Sequence, residues 1–412
     1  MTSNVTRRRL LLGAAAGSVG AAVGAAASST AALAQDGDTG DIVDLARHYD
    51  FYGSGEQAGI RTPPQRHLLF MTFDLTTSGK SELQVLLARW SGAIAQAMQG
   101  QPIGQIEPTR PSAVGFDTGE ALDLAPASLT VTVGLGPRLF TESFGLDAHR
   151  PPLLRELASL PSDALRPNLC GGDLSLQACA DDPQVAYHAI RDLARIARDT
   201  GAAKTRWTVM GFGRASAGKG QATPRNLMGF KDGTRNIRED ADFDRFVWAS
   251  GGPAWQQRGT YQVVRKIRMH IENWDTNRVS HQNAVFGRHK MSGAPLGGSD
   301  ELDPPDFALR NGGELAIPAT AHIRLAAHEN NNGVRILRRG YNYTDGIDDV
   351  GQLDAGLLFI SYQNDPAHFE TLQARLGAAD ALNEYIAHIG SAIFFIPPAP
   401  REGSYIAEAL FL

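Results

Sequence analysis

Cysteine is nearly absent: the 412 residues hold two, Cys170 and Cys179. They lie in NLCGGDLSLQACADD; if Asp173 to Ala180 is extended, at about 3.3 Å per residue the sulfurs are too far apart to bond without an intervening hairpin. Two buried thiols are therefore expected. With neither a Cys-x-x-Cys pair nor a Cys-x-x-Cys-His stretch, zinc ribbons, dithiol redox sites and covalently attached haem are excluded. An excess of positive charge is also missing, since 39 basic residues face 44 acidic ones. A surface of that balance repels nucleic acid and anionic lipid.

Apolar runs are scarce except at the start. Thr6-Arg7-Arg8-Arg9-Leu10-Leu11-Leu12 opens a basic region, a Gly/Ala-rich segment follows, and Ala32-Leu33-Ala34 makes a small-residue cleavage site. By count alone the segment is long enough for a membrane helix, but Ala and Gly add little transfer energy. Residues 1–34 are expected to be a twin-arginine signal peptide, and the mature chain periplasmic or secreted without a lasting membrane anchor. Cleavage leaves 36 basic residues against 44 acidic, a net charge of −8. Cargo of that route crosses already folded, which favours a cofactor inserted beforehand.

The mature chain reads as one pattern played twice. His67–Leu75 is a strand, Glu82–Met98 has helical apolar spacing, SLTVTVGLG and DLSLQACA are strands, Pro183–Arg198 is a helix and Ala203–Phe212 a strand. The second half repeats the order: strand Thr260–Ile271, helix Arg278–Arg288, strands Arg335–Tyr343 and Leu357–Tyr362, helix Pro366–Leu376 and strand SAIFFIPP. The expected fold is α+β, two ferredoxin-like β-α-β-β-α-β domains with antiparallel sheets, of the dimeric α+β barrel type. Residues 35–213 form the first domain, 214–225 a Gly/Ala/Ser-rich linker and 226–412 the second. Two loops are uncommonly long, Pro102–Leu124 and Lys290–Ile317. HENNNG (His328–Gly333) reads as a solvated hairpin tip.

Three groups could carry chemistry. In NLMGFKDGTRN, Asp232 stands between Gly229 and Gly233. An Asp-Gly pair is most simply a turn, but the two glycines also let backbone approach a flat ligand. A carboxylate held over such a ligand could accept and return a proton if a cation stood nearby. In ELAIPATAHIRLAAHENNNGVRILRRGYNY, His322 precedes an apolar step where a buried imidazole could reach a metal, whereas His328 beside Glu329 suits the surface. Arg338 and Arg339, adjacent on a strand, point to opposite faces, so at most one enters a pocket. In AGLLFISYQND, Leu357 and Phe359 share a face, and core packing alone accounts for them.

Taken in order, GFKDGT, AHIR, ILRRGYNY and GLLFISYQ resemble the dye-decolourising peroxidases, and FYGSGEQAGIRTPPQ with CGGDLSLQACA resembles their exported deferrochelatase/peroxidase branch. The resemblance runs from about Tyr52 to the C-terminus. It implies one haem b per chain in the second domain, with His322 as the iron ligand, Asp232 as the acid/base and Arg338 as the distal arginine. Leu357 and Phe359 would line the distal pocket, and Arg288 would stand near a haem propionate. Gly229, Phe230, Lys231, Gly233 and Thr234 carry over as cofactor contacts. Glu56, Arg235 and Arg238 depart from the branch pattern.

The implied activity is peroxide-dependent oxidation of dyes, phenols or other small reductants. Bulky reductants would pass electrons through a surface aromatic, for which Trp255, Trp274, Tyr341 and Tyr343 are candidates. The alternatives are removal of iron from haem with the porphyrin intact, a non-catalytic haem carrier, or an exported binding protein without haem. Homodimerisation and iron-uptake partners stay open.

Overall fold

The computed structural model describes residues 43–412 except 54, 78 and 214–222. The expected signal peptide and most of the expected linker lie outside the described residues. The first half of the chain gives β1 (His67–Leu75), α1 (Lys80–Met98), β2 (Thr130–Leu135), β3 (Leu174–Ala180), α2 (Pro183–Asp199) and β4 (Ala203–Phe212). After α3 (Asp240–Phe246) come β5 (Thr260–Met269), α4 (Ile271–Asp275), α5 (Val279–Phe286), the two-residue strands β6 (Arg310–Asn311) and β7 (Glu314–Leu315), and α6 (His322–Ala326). The chain closes with β8 (Leu337–Arg338), β9 (Tyr341–Ile347), β10 (Leu353–Gln363), α7 (Pro366–Ala379) and β11 (Ile386–Ile396).

Local chemistry explains the boundaries. Asp182 caps α2, its side chain accepting from the amides of Gln184 at 2.7 Å and Val185 at 3.2 Å, with Pro183 in the first turn. Asp365 and Pro366 start α7 in the same way. Helix α5 stops at Gly287, whose φ of 79° is left-handed.

The strands pair antiparallel in the order β5-β11-β2-β3-β1-β4-β9-β10-β8, and β10 also pairs with β5. Eight strands thus close into a barrel, made of one four-stranded sheet from each half of the chain. The joins are thin: Phe395 with Leu135 on one side, Gly211 with Tyr343 and Phe212 with Asn342 on the other. Strand alternation sends one set of side chains inward, including Leu68 and Phe70 of β1, Leu358 and Ile360 of β10 and Phe394 of β11. The inward polar groups answer one another: the Tyr362 hydroxyl donates to Gln177 at 2.7 Å and Gln262 donates to both. The opposite set meets the helices, Leu69 and Phe73 packing with α1 and α2 in the largest apolar cluster.

Three expectations change. Cys179 is buried in the barrel and both thiols are free, but Cys170 is only half-buried, because it follows a short helical turn (Pro167–Leu169) at the sheet margin. His328–Asn330 is a 3-10 turn and not a hairpin tip; Asn331 is buried and donates to the carbonyls of Leu325 and Ala327 at 2.7 Å. The expected strand Arg335–Tyr343 is broken at Arg339-Gly340 into β8 and β9. Arg339 is buried, whereas Arg338, on the edge strand β8, is half-buried.

Candidate active site

On the outward face of the second-half sheet lies a cavity of about 240 Å³. Its floor is apolar, from Ile267 of β5, Leu357 and Phe359 of β10 and Ile386 of β11, and Leu372 and Leu376 of α7 close one side. Asp232, Arg338 and His322 all border it. The distant stretches singled out in the sequence therefore converge on one space.

The 226–234 loop is shaped by its own side chains. Asn226 Oδ1 accepts from the amides of Met228 at 3.1 Å and Phe230 at 3.2 Å, an Asx-type turn. The Arg225 guanidinium donates to the carbonyls of Gly229, Lys290 and Met291, tying the turn to the neighbouring loop. The Asp232 amide donates to Pro224 O at 2.8 Å. Gly233 sits at φ 123°, where a side chain is strained, and an added Cβ would meet only a Thr223 methyl at 3.9 Å. The carboxylate it carries forward is met by Arg338, whose Nη1 donates to Asp232 Oδ1 at 2.9 Å. Asn236 holds the Arg338 backbone by a reciprocal pair of 2.8 Å bonds.

His322 opens α6. Its Nδ1 lies 2.6 Å from Asp380 Oδ2, and Asp380 is itself buried and accepts from the Leu382 amide at 2.9 Å. Burial pulls the imidazole pKa down, the Asp380 carboxylate more than reverses this, and the ring ends above its ordinary value. Asp232 and Arg338 also act electrostatically on that ring, with opposite signs. Phe286 meets the ring edge-on, with centroids 6.0 Å apart.

Lys231 and Thr234 border the cavity and both bond Glu301, the threonine hydroxyl at 2.9 Å. Arg288 borders it too, buried, donating to the carbonyls of Gly293 at 2.6 Å and Glu301 at 3.0 Å. Burial lowers its pKa. Gly229 and Phe230 do not border the cavity. Gly229 is needed for its φ of 85° and for Lys290, whose Cε would lie 2.6 Å from an added Cβ. Phe230 stacks on Phe286 with centroids 4.0 Å apart, one layer behind the wall. Arg339 points away, buried, donating to Thr62 O at 2.5 Å and to Gln65. Of the four proposed electron-exit aromatics, Trp274, Tyr341 and Tyr343 are fully buried and only Trp255 is half-exposed. Asp380, Asn236 and Glu301 carry no sequence signal of these roles; the Asp-Ala-Leu-Asn after α7 signals a cap, and nothing more.

Comparison with known proteins gives a consistent picture. The N-terminal and C-terminal models of the Dyp-type peroxidases match residues 57–213 and 223–401. A deferrochelatase of Yersinia pestis is 39% identical over 421 residues, spanning 98% of this chain and 94% of its own. The deferrochelatase of Escherichia coli strain K12 is 39% identical over 373 residues, 87% of this chain and 86% of its own. Among solved structures, a DyP-type peroxidase of Streptomyces coelicolor aligns with a TM-score of 0.82 at 40% identity, covering 89% of this chain and 97% of that one. Ferric DtpA of Streptomyces lividans aligns with the same score, identity and coverage.

Proposed function

The chain belongs to the Dyp-type peroxidases, haem enzymes, and on that premise we propose that it reduces hydrogen peroxide at a haem b in the His322–Asp232 cavity, oxidising a small reductant such as a dye or phenol. One observation carries the assignment: a carboxylate paired with a guanidinium borders the same apolar cavity as a histidine whose far nitrogen is held by a buried acid.

The residues present suit a haem. His322 Nε2 has no hydrogen-bond partner among the described residues, while Asp380 accepts from Nδ1 and so fixes the tautomer that leaves Nε2 free to ligate. Arg288 has no carboxylate within ion-pair distance among the described residues, although it is buried at the cavity wall. A propionate would supply that counter-charge. A haem held there by His322 would supply the redox chemistry for opening the O–O bond. Asp232 accepts the proton of one peroxide oxygen and returns it to the other. Arg338 donates to the departing oxygen as negative charge gathers there, and holds Asp232 in place meanwhile. Leu357 and Phe359 keep bulky reductants away from this pair.

Asp232→Asn and Arg338→Ala are each expected to slow the peroxide-driven change of the Soret band by about 100-fold or more in stopped flow. Unchanged rates in both would remove these roles. A second reading, release of iron from haem with the porphyrin intact, is favoured by the relatives at 39% identity, which are deferrochelatases. Free-porphyrin fluorescence appearing after haem loading would support it, and a stable Soret band alone would dismiss it. We further propose export, on the strength of Arg7-Arg8-Arg9 and the apolar segment behind them; no helix among the described residues is long and apolar enough to cross a membrane. Changing the three arginines to lysine should leave uncleaved precursor in the cytoplasm, and normal processing would refute the route.

A further inference from the structure

Far from the haem cavity, the long loop between α1 and β2 folds onto α2 and places acids around a histidine. His188 and Asp192, one helical turn apart on α2, meet Asp117 and Glu120 of the loop. The three groups Asp117, His188 and Asp192 are buried, and one ligand atom from each lies within 4.8 Å of the others. His188 Nε2 is 3.5 Å from Asp117 Oδ2 and 3.5 Å from Asp192 Oδ2. Neither separation is that of a good charge-assisted hydrogen bond, but both match the edge of a tetrahedron whose ligands stand about 2.0–2.2 Å from a central ion, which is about 3.3–3.6 Å.

Two further observations point to a ligand. Asp192 Oδ1, on a residue only 2% exposed, has no hydrogen-bond partner among the described residues, a costly state that a second oxygen–metal contact would relieve. On the far side of the ring, His188 Nδ1 lies 3.3 Å from Glu120 Oε2, close enough that a small rotation of the carboxylate would align a hydrogen bond that the present geometry does not make. A carboxylate behind the outer nitrogen is the arrangement that orients metal-binding imidazoles. Glu120 and its ion-pair partner Arg191, 3.2 Å away, stand at the more exposed rim through which an ion would enter.

We propose that Asp117, His188 and Asp192 bind one divalent cation of the zinc class, with Glu120 as the residue that positions His188. One imidazole and two carboxylates in a tetrahedral frame, with a fourth position for water, suit Zn²⁺ better than the oxygen-rich shells of Ca²⁺ or Mg²⁺. The ion staples residues 102–124 to α2. Asp117 is already set for this, its carboxylate accepting from the amides of Ile103 at 2.9 Å and Gly119 at 2.7 Å, so ion binding would lock both ends of the loop.

The test uses haem-loaded, chelator-washed protein and Zn²⁺ alone, followed by calorimetric titration and zinc-edge absorption, which iron does not obscure. Wild type should take one equivalent, with a first shell of nitrogen and oxygen and no sulfur, and its melting temperature should rise. Asp192→Asn should lose that equivalent and the thermal shift while keeping the wild-type Soret band, which shows that the fold is intact. Glu120→Gln should retain the stoichiometry with affinity weakened about tenfold or more. If wild type takes no more zinc than Asp192→Asn does, or Glu120→Gln binds as tightly as wild type, the assignment fails.

Discussion

The two halves of the barrel share a strand order and differ in what covers their outer faces. In the first half, two long helices lie on the sheet: α1 of 19 residues and α2 of 17. Leu69, Phe73, Leu83, Leu87, Trp90 and Leu193 are all buried there, and the Phe73 and Trp90 rings pack at 5.1 Å between centroids. In the second half, the stretch that should form the first covering helix is broken into α4 of 5 residues and α5 of 8, followed by a long loop. Among the described residues only α7, with 14 residues, lies along that sheet as a continuous helix. Leu357 and Phe359, which should be core by their spacing, are left partly exposed at the cavity floor. Replacing one long helix by short pieces is thus how this fold makes room for a cofactor without changing its sheet.

The strongest way to break the comparison is a matched pair of truncations. Phe73→Ala removes a fully buried ring from a filled core and should cost about 3–5 kcal/mol by chemical denaturation. Phe359→Ala, which loses a ring packed on Phe369 at 6.1 Å but already facing open space, should cost less than half as much in haem-free protein. Haem loading should widen the Phe359→Ala cost and leave the Phe73→Ala cost unchanged. Equal costs in haem-free protein would mean that the second face is as well filled as the first.

A sharper test addresses the wall built by α6 and the turn after α7. Asp380→Asn keeps an oxygen for the Leu382 amide but removes the charge behind His322. It should lower haem affinity or peroxide turnover about 10–100-fold, with thermal stability of the haem-free protein little altered. A loss of stability without any change in haem binding would make Asp380 a helix cap alone.

How much of this was legible depends on the range of the contacts involved. The strands and long helices of the first half were readable almost to the residue, since period-two and helical apolar patterns and Asp-Pro starts are local signals. The second half is less legible because its departures answer to partners far away. Arg339 ends β8 by turning inward to Thr62 and Gln65, more than 270 positions earlier. Asp232, His322 and Arg338 are legible through their motifs and not through any propensity. Gly229 and Phe230 belong to the same motif yet serve the turn and the layer behind it, a distinction that one-dimensional spacing does not hold. Asp380 is not legible, because a capping aspartate and a histidine-orienting aspartate look identical until His322, 58 positions away, is brought beside it.

The smallest expected effect asks whether the open half is also a source of acid sensitivity. His388 of β11 borders the cavity, buried, with Nε2 3.3 Å from Gln373 Nε2. Burial first, then the nearby Arg265 charge, push its pKa down to about 3, against a partial upward pull from Asp380. The unfolded imidazole titrates near 6.5, so between these values the unfolded chain holds the extra proton. Stability from neutral His388 is therefore complete above about pH 6.5 and is lost as the pH falls toward 3, at about 1.4 kcal/mol per unit. Moving from pH 6.5 to 5.0 should cost wild type about 2 kcal/mol more than it costs His388→Gln, read from urea midpoints at the two pH values. His67, His328 and His368 are also shifted downward by burial and contribute equally to both proteins, so the difference isolates His388. Identical losses in the two proteins would show that the cavity already admits enough water to solvate a charged imidazole, and that the second face is wetter than its apolar floor implies.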